Sequence, residues 1–363
     1  MIKSLDLVRE YREIGNELDC AVRRVMESGC FTQGPEKKAF EKEFAHWVGG
    51  RYAVGLNSGS DALYLALRAL GVGDGDEVIT VSHTFVSTVD AIVRCGARPV
   101  FVDIDPETYC MDVSSLKEFL TKRTRAIIPV HLYGHPAEMD TVTDLAGDRG
   151  LAVVEDACQA HGARYNGQMV GTIGDIGCFS FYPSKNLGCF GDGGMIVTDN
   201  EVLARKVQML GNYGQEEKYH FRCTGINSRL DEIQAAVLSV KLRHLETWNE
   251  QRRKIAQFYR SHLNSGDLTL PIERPGIYHV YHQFVVRNRA RDQLLEKIRH
   301  VVRTAVHYPV PVHLQPAYSG YGPHVSLAVT EKICKEIVSL PVHPWLSGEE
   351  LQQVVDEVNR AAG

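Results

Sequence analysis

The stretch "EVITVSHTFVSTVDAIVRCGARPVFVDID", residues 77–105, contains the alternation that decides the fold. Its two ends, 77–81 and 99–105, are short apolar runs, and the segment between them, 86–96, has apolar residues at helical spacing. Short apolar strands that alternate with helices are typical of a parallel sheet with both faces covered. The stretch therefore predicts a strand–helix–strand unit.

The same rhythm continues on both sides of this unit. "YAVGL" (52–56) precedes a helical segment at 61–70, and "RAIIPVHLYG" (125–134) precedes another at 140–150. "LAVVEDA" (151–157) follows as a further strand. We therefore predict an α/β fold with a mostly parallel sheet and helices on both faces.

A chain of 363 residues is longer than a domain with one hydrophobic core usually is, so two domains are expected. A long helical stretch, 229–263, ends the alternating region, and the strands and helices after it are shorter. We predict a large α/β domain at 1–250, including an N-terminal helical segment, and a smaller C-terminal α+β domain at 251–363.

Composition excludes several classes of protein. A hydrophobic fraction of 44% with 23% charged residues indicates a globular chain, and the net charge of −5 argues against a nucleic acid partner. The N-terminus is charged, and no apolar run is long enough for a membrane span. Nine cysteines without a CxxC pair are typical of free thiols in the cytoplasm, which is the predicted location.

One lysine stands in an unusual setting. In "CFSFYPSKNLGCFGDGG" (178–194), Lys185 lies between an aromatic strand and a glycine-rich turn, and the only nearby carboxylate is Asp192. Desolvation disfavours the ammonium form, so these neighbours favour an amine that can act as a nucleophile.

Two further groups follow predicted strands at the same edge of the sheet. In "NSGSDAL" (57–63), Gly59 allows close approach of the backbone and Ser60 stands where a helix begins, which favours a phosphate site; a simple N-cap by Ser60 is the alternative. Asp156 ends an apolar strand and could hold a protonated ring nitrogen, or form a salt bridge to an arginine.

Three more residues have a functional and a structural interpretation. Gln159 could contact a phenolic oxygen or cap a helix, and Ser180 could contact phosphate or bond to the backbone. Phe85 could cover a planar cofactor or pack in the core. A phosphate site, an aromatic cover, a carboxylate and a desolvated lysine together indicate pyridoxal 5′-phosphate (PLP).

Three motifs, in their order and spacing, resemble the nucleotide-sugar aminotransferases of the DegT/StrS type, which have the fold type I structure of aspartate aminotransferase. They are "NSGSDAL" (57–63), "VEDACQAHGA" (154–163) and "FSFYPSKNLGCFGDGG" (179–194). The similarity extends from "FTQGP" (31–35) into "HYPVPVHLQPAY" (307–318) and so covers nearly the whole chain.

The resemblance implies roles around the cofactor ring. Lys185 would form the Schiff base with PLP, and Asp156 would pair with the pyridine nitrogen. Gln159 would contact the ring hydroxyl, and Phe85 would stack on the ring. Lys185 and Asp156 are then the catalytic residues.

The resemblance also implies a phosphate site built by two chains. Gly59, Ser60 and Ser180 would hold the phosphate of their own subunit. Asn227 in "GINS" would reach the phosphate of the partner subunit, so the enzyme is expected to be a homodimer with shared active sites.

The family's substrates are keto sugars linked to dTDP or UDP, with L-glutamate as the usual amino donor. Gln159 and His161 in "EDACQAHGA" (155–163) are more similar to members that aminate C3 of a dTDP-3-keto-6-deoxyhexose, whereas members acting at C4 often have histidine at position 159. Candidate sugar contacts, each with a structural role as the alternative, are Tyr182, His307, Tyr308 and His313.

Other functions are disfavoured by particular residues. Family members that dehydrate sugars have histidine where this chain has Lys185. A ligand sensor with this fold needs no lysine for proton transfer. "GVGDGD" (71–76) follows a helix and precedes a strand, which is the wrong order for a turn that binds a dinucleotide. "HLYGH" (131–135) has two histidines, but its glycine would break a helix that aligned them as metal ligands, so no metal is expected.

Overall fold

The computed structural model describes residues 1–264, 266–322 and 326–363. Its strands are β1 (Tyr52–Leu56), β2 (Glu77–Val81), β3 (Arg98–Val102), β4 (Thr124–Ile127), β5 (Ala152–Asp156), β6 (Arg164–Tyr165), β7 (Gln168–Met169), β8 (Ile176–Ser180), β9 (Gly194–Thr198), β10 (Gln215–Glu217), β11 (His220–Phe221), β12 (Leu268–Thr269), β13 (Ile277–Tyr278), β14 (Phe284–Asn288) and β15 (Ile337–Leu340). Its α-helices are α1 (Leu7–Ser28), α2 (Pro35–Val48), α3 (Gly59–Ala69), α4 (Ser87–Arg94), α5 (Met139–Arg149), α6 (Glu201–Leu210), α7 (Glu232–Leu242), α8 (Leu245–His262), α9 (Arg291–Ile298), α10 (Ala328–Glu336) and α11 (Gly348–Ala362).

A seven-stranded sheet organises the first part of the chain. Its strand order is β1-β9-β8-β5-β4-β2-β3. The pairs β8–β5, β5–β4, β4–β2 and β2–β3 are parallel, and β9 runs antiparallel to both of its neighbours. The predicted α/β fold with a mostly parallel sheet is confirmed.

Neighbouring residues of one strand show that both faces of this sheet are covered. Val153 packs in a cluster with Leu145 of α5, and Val154 packs in another cluster with Leu63 of α3 and Val207 of α6. Successive side chains of a strand point to opposite faces, so a strand between two helix layers must be apolar at both positions. Full burial of each such side chain contributes about 1.5–3 kcal/mol.

The C-terminal part of the chain forms a second, three-stranded sheet of order β12-β14-β15. Helices α8, α9 and α11 share a core with this sheet, and Ile2 from the N-terminus lies in the same core. The domain boundary that we predict at residue 250 falls inside α8: Trp248 packs with α1 and α7, whereas Ile255 packs in the C-terminal core.

One predicted helix and the segment after β3 depart from a regular α-helix. The stretch 229–263 is two helices, α7 and α8, because the N–H of His244 bonds to the carbonyl of Lys241, three residues back, and this ends the α-helical ladder. The segment after β3 is a 3₁₀-helix, Val113–Phe119. Neither difference moves the edge of the sheet where the chemistry was expected.

None of the described helices is long and apolar enough to cross a bilayer. Among the described residues, no group of three or more His, Cys, Asp or Glu side chains is placed to hold a metal ion. The cysteines are all free thiols.

Candidate active site

A cavity of about 480 Å³ lies where β1, β2, β5 and β8 end. Parallel strands bring their carboxyl ends to one edge, so groups that are far apart in sequence meet there. The cavity is lined by ten of the predicted site residues: Gly59, Ser60, Phe85, Asp156, Gln159, Ser180, Tyr182, Lys185, His307 and Tyr308.

Lys185 is partly exposed to this cavity. Burial lowers the pKa of its amine below the ordinary lysine value, although the charges of Cys158 and Asp156 act in the opposite direction. The amine makes no salt bridge within the described ranges. A lowered pKa increases the fraction of neutral amine, which is the nucleophilic form.

The loop that carries Lys185 is held from both ends. The backbone N–H of Lys185 donates to the carbonyl of Tyr182 at 2.9 Å. The buried ammonium of Lys241 donates to the carbonyl of Gly188 at 2.7 Å and is itself paired with Glu10. Fixed backbone contacts on either side limit the positions that the amine can take.

Asp156 is buried, with 6% of its surface exposed. Thr88 Oγ1 donates to one carboxylate oxygen at 2.7 Å, and the backbone N–H of Cys158 donates to the other at 3.2 Å. No arginine or lysine forms a salt bridge with it in the parts of the chain that the structure describes, so the alternative of a structural ion pair is wrong. The carboxylate can therefore accept a further proton donor in the cavity.

The first turn of α3 forms one wall. Ser58, not Ser60, is the N-cap, since its side chain accepts from the N–H of Asp61 at 3.1 Å. The hydroxyl of Ser60 instead lies 2.6 Å from that of Ser87. A Cβ atom on Gly59 would lie 2.7 Å from Cβ of Ser180, so only glycine allows this close approach. The helix N-terminus and the hydroxyl groups around it suit an anion.

Gln159 and Tyr308 form a hydrogen-bonded pair. Gln159 Nε2 donates to the Tyr308 hydroxyl at 3.0 Å, while Gln159 Oε1 accepts from the N–H of Tyr133 at 2.9 Å. Burial raises the pKa of Tyr308 above its ordinary value, so this phenol stays protonated. Gln159 is therefore not a helix cap and faces the cavity.

Phe85 is 51% exposed, although a phenylalanine usually packs in the core. Its ring lies on the cavity, with its centroid 5.8 Å from that of Tyr308 and the two planes tilted by 45°. A planar ring bound in the cavity could stack on this apolar face.

The other candidates for sugar contacts lie in different places. Tyr182 is 54% exposed, and His307 lines the cavity while its Nδ1 lies 2.8 Å from the hydroxyl of Ser339. Burial lowers the pKa of His307 to about 4. Both residues remain candidates because part of each side chain reaches the cavity.

His313 does not line the cavity, and its role as a sugar contact stays a prediction. A 3₁₀ turn, Val312–Leu314, directs its ring inward, where Nδ1 lies 2.7 Å from the hydroxyl of Ser82. His161 is fully buried against Phe179 and Phe181 and does not line the cavity either.

Asn227 is exposed and lies outside the cavity of its own chain. Its backbone pairs with that of Asn212 just before α7. Its predicted role toward a partner subunit stays a prediction.

Several lining residues were not predicted from the sequence. Thr88 lies in the first turn of α4, one turn after the predicted Phe85, so its position could be read from the start of the helix. His282 and Gln283 come from the segment before β14 and had no motif to mark them. Other unpredicted lining residues include Ser58, Thr84, Ser87, Cys158 and Ser184.

The residues present fit PLP. Lys185 offers an amine with a lowered pKa, and Asp156 offers a buried carboxylate that makes no salt bridge among the described residues. The hydroxyls of Ser60 and Ser180 surround the glycine-lined turn at the N-terminus of α3, and Phe85 offers an apolar face. An aminotransferase that uses PLP is the class of enzyme to which this fold and this cavity belong.

Comparison with known proteins identifies the family. The chain belongs to the DegT/DnrJ/EryC1/StrS aminotransferase family, whose sequence profile matches residues 12–359. The dTDP-3-amino-3,4,6-trideoxy-alpha-D-glucose transaminase of Streptomyces venezuelae is 47% identical over 361 residues, which cover 99% of this chain and 95% of the relative.

Two solved structures extend this similarity. The crystal structure of S. venezuelae DesV in complex with a ketimine intermediate has a TM-score of 0.96 and 47% identity, covering 98% of this chain and 97% of that one. The structure of NtdA from Bacillus subtilis with bound cofactor PMP has a TM-score of 0.89 and 32% identity, covering 96% and 82%. The protein is therefore a PLP-dependent aminotransferase.

Proposed function

We propose that this enzyme transfers the amino group of L-glutamate to C3 of a dTDP-linked 3-keto-6-deoxyhexose. The observation that carries the proposal is the similarity along 99% of the chain to a transaminase whose name specifies a 3-amino sugar linked to dTDP. The motif that is similar to C3-acting members has glutamine at position 159. Gln159 faces the cavity and donates a hydrogen bond to Tyr308.

The side chains in the cavity divide the work. Bound PLP supplies an aldehyde that carries the amino group and a ring that accepts electrons when a Cα–H bond breaks. The amine of Lys185 would carry a proton between a carbon of the bound substrate and a carbon of the cofactor, which its lowered pKa favours. Asp156 holds the proton on the ring nitrogen, with its carboxylate kept in place by Thr88.

Substrate binding is assigned to the outer part of the cavity. Tyr182, His307 and Tyr308 are the candidates for sugar contacts, since each lines the cavity. Hydroxyl and imidazole groups can both donate and accept, which suits the remaining free hydroxyls of a keto sugar.

The proposed assembly is a cytoplasmic homodimer with shared active sites. In this assembly, Asn227 of one chain contacts the cofactor phosphate of the other. The exposure of Asn227, and its position outside the cavity of its own chain, support this arrangement.

The test is turnover of a panel of nucleotide-linked keto sugars with ¹⁵N-labelled L-glutamate. We expect label at C3 of a dTDP-linked product, and none with Lys185→Ala as the control. Label at C4, or a preference for a UDP-linked sugar, would contradict the assignment of the substrate. If neither glutamate nor any sugar changes the absorbance of the bound cofactor, the protein would be a sensor and not an enzyme.

A further inference from the structure

A buried chain of two amides lies behind Lys185. It joins Asn186, the residue directly after Lys185, to Asn249 of α8, and the two are 4% and 2% exposed. Asn249 Nδ2 donates to the carbonyl of His161 at 2.9 Å, and Asn186 Nδ2 donates to the carbonyl of Val280 at 3.1 Å. A backbone carbonyl can only accept, so both amide nitrogens must face these oxygens.

The remaining hydrogen bonds of these two amides can then be formed in only one direction. Asn249 Oδ1 accepts from Asn186 Nδ2 at 2.8 Å, so both hydrogens of that nitrogen are used. Asn186 Oδ1 lies 3.2 Å from Nδ1 of His282 and can only accept from it. His282 must therefore carry a hydrogen on Nδ1.

The surroundings of His282 favour the neutral form of its ring. Burial lowers its pKa well below the ordinary histidine value, and the charges of Lys185 and Arg252 act in the same direction. A neutral imidazole with its hydrogen on Nδ1 has a lone pair, and no hydrogen, on Nε2. His282 lines the same cavity as Lys185, so this acceptor belongs to the reaction site.

The backbone around His282 is also fixed. The N–H of Val280 donates to the carbonyl of Gly134 at 3.1 Å, and the N–H of Gln283 donates to that of Tyr133 at 3.2 Å. Both side chain and backbone are therefore held, which is what a contact that discriminates between substrates requires.

We propose that Nε2 of His282 accepts a hydrogen bond from a hydroxyl group of the sugar substrate, and that Asn186 selects the tautomer in which the neutral ring has no hydrogen on this nitrogen. His282 is then a residue that determines sugar specificity. The proposal rests on the proposed function as a sugar aminotransferase. A site built to pair with a substrate hydroxyl rejects an analogue that lacks it, because the partner is left without its hydrogen bond.

The matched pair His282→Asn and His282→Gln tests this in the holoenzyme. An asparagine amide can place its N–H near the position of Nδ1 and leaves no acceptor at Nε2, whereas a glutamine amide can place its oxygen near Nε2. Two quantities are measured: kcat/KM for the dTDP-linked keto sugar, and the rate at which L-glutamate alone changes the absorbance of the bound cofactor.

We expect His282→Asn to lower kcat/KM for the sugar about tenfold, mainly through KM, and His282→Gln to recover most of this loss. The rate with glutamate alone should change less than twofold in both. Analogues of the sugar that each lack one hydroxyl group are compared as well. On the analogue that lacks the hydroxyl contacted by Nε2, the parent and His282→Asn should have equally low kcat/KM.

Three results would overturn the proposal. Equal losses with sugar and with glutamate would make His282 a structural support of Lys185. A glutamine variant no better than the asparagine variant would remove the acceptor role. A parent that reacts with glutamate but with no keto sugar would overturn the proposed function as well, and so would be distinguishable from a failure at His282 alone.

Discussion

Thr88 Oγ1 lies 2.7 Å from Oδ2 of Asp156 and donates a hydrogen bond to it. The hydroxyl of Thr84 lies 2.8 Å from that of Thr88, so the contact is supported from the preceding turn. The start of α4 thus fixes the orientation of a carboxylate that stands at the end of β5. Helix α4 and strand β5, which are far apart in the sequence, are thus joined at the point where the cofactor ring would be held.

Thr88→Val keeps the shape of the side chain and removes this donor. A hydrogen bond to a charged group contributes about 1.5–3 kcal/mol, so we expect PLP to bind roughly 10- to 100-fold more weakly. Thr88→Ser keeps the hydroxyl and should stay close to the parent. Spectrophotometric titration of the apoenzyme with PLP measures both. Equal affinity of the valine and serine variants would show that the contact is unimportant for binding.

Asp156→Asn removes the charge that would hold the ring nitrogen protonated. We expect weak retention of the cofactor and loss of most activity, because an amide cannot stabilise that proton. Asp192→Asn removes another carboxylate from the same cavity and serves as the control. Steady-state rates at saturating PLP make the comparison. Similar losses in the two variants would assign the effect to the net charge of the cavity, and an unaffected Asp156→Asn would leave Asp156 a structural residue.

Lys185→Ala should lower turnover by orders of magnitude and leave the fold intact. Without the amine, neither the covalent link to the cofactor nor the proton transfer between carbons is possible. Lys185→Arg, which keeps a positive charge but not a nucleophilic amine, should be equally inactive. Turnover is measured beside circular dichroism spectra, with protein prepared free of parent enzyme. Near-parental rates in either variant would exclude the proposed mechanism.

Gly59→Ala tests the close approach of α3 to β8. The added Cβ would lie 2.7 Å from Cβ of Ser180 and 2.8 Å from Sγ of Cys158. The first turn of α3, which forms the proposed phosphate site, would therefore have to shift. We expect at least tenfold weaker PLP binding. Gly147→Ala on α5 is the matched control, since its Cβ would meet no atom within 4 Å and alanine favours a helix. A Gly59→Ala variant that binds PLP as tightly as Gly147→Ala would contradict the assigned role of the glycine.

The sequence predicted best the part of the site that follows the strands directly. Gly59, Phe85, Asp156 and Ser180 each stand at or just after an apolar run, and parallel strands end at one edge of the sheet. Local pattern was therefore sufficient to bring these residues together. The reversed strand β9 did not disturb this, because it leads away from the lysine loop.

Residues from the C-terminal part of the chain were harder to predict. His282 reaches the cavity only because its segment pairs with the backbone at 133–134, and nothing periodic in the sequence reports such a contact. The surroundings of His313 were hidden for the same reason: the turn at Val312–Leu314 directs its ring to Ser82, which a motif of histidines and prolines does not reveal. Tertiary contacts of loops depend on packing that local propensity does not encode.

Asn227 gives a test of the shared active site. If Asn227 contacts the cofactor phosphate of the partner as proposed, Asn227→Asp would place a carboxylate against that phosphate, and the repulsion should strongly weaken binding of PLP. Lys185→Ala inactivates the site by a different route. Each variant should therefore be inactive alone.

Mixing the two variants separates a shared site from a site built by one chain. In a heterodimer, the chain that keeps Lys185 receives an unmutated Asn227 from the other chain, so one complete site forms and the second site carries both defects. If Asn227 served its own chain, every site would carry one defect and mixing would restore nothing. The two variants are unfolded and refolded together, activity is compared with each refolded alone, and heterodimers are isolated through two different tags. We expect about one active site per isolated heterodimer, and inactive heterodimers would exclude the shared site.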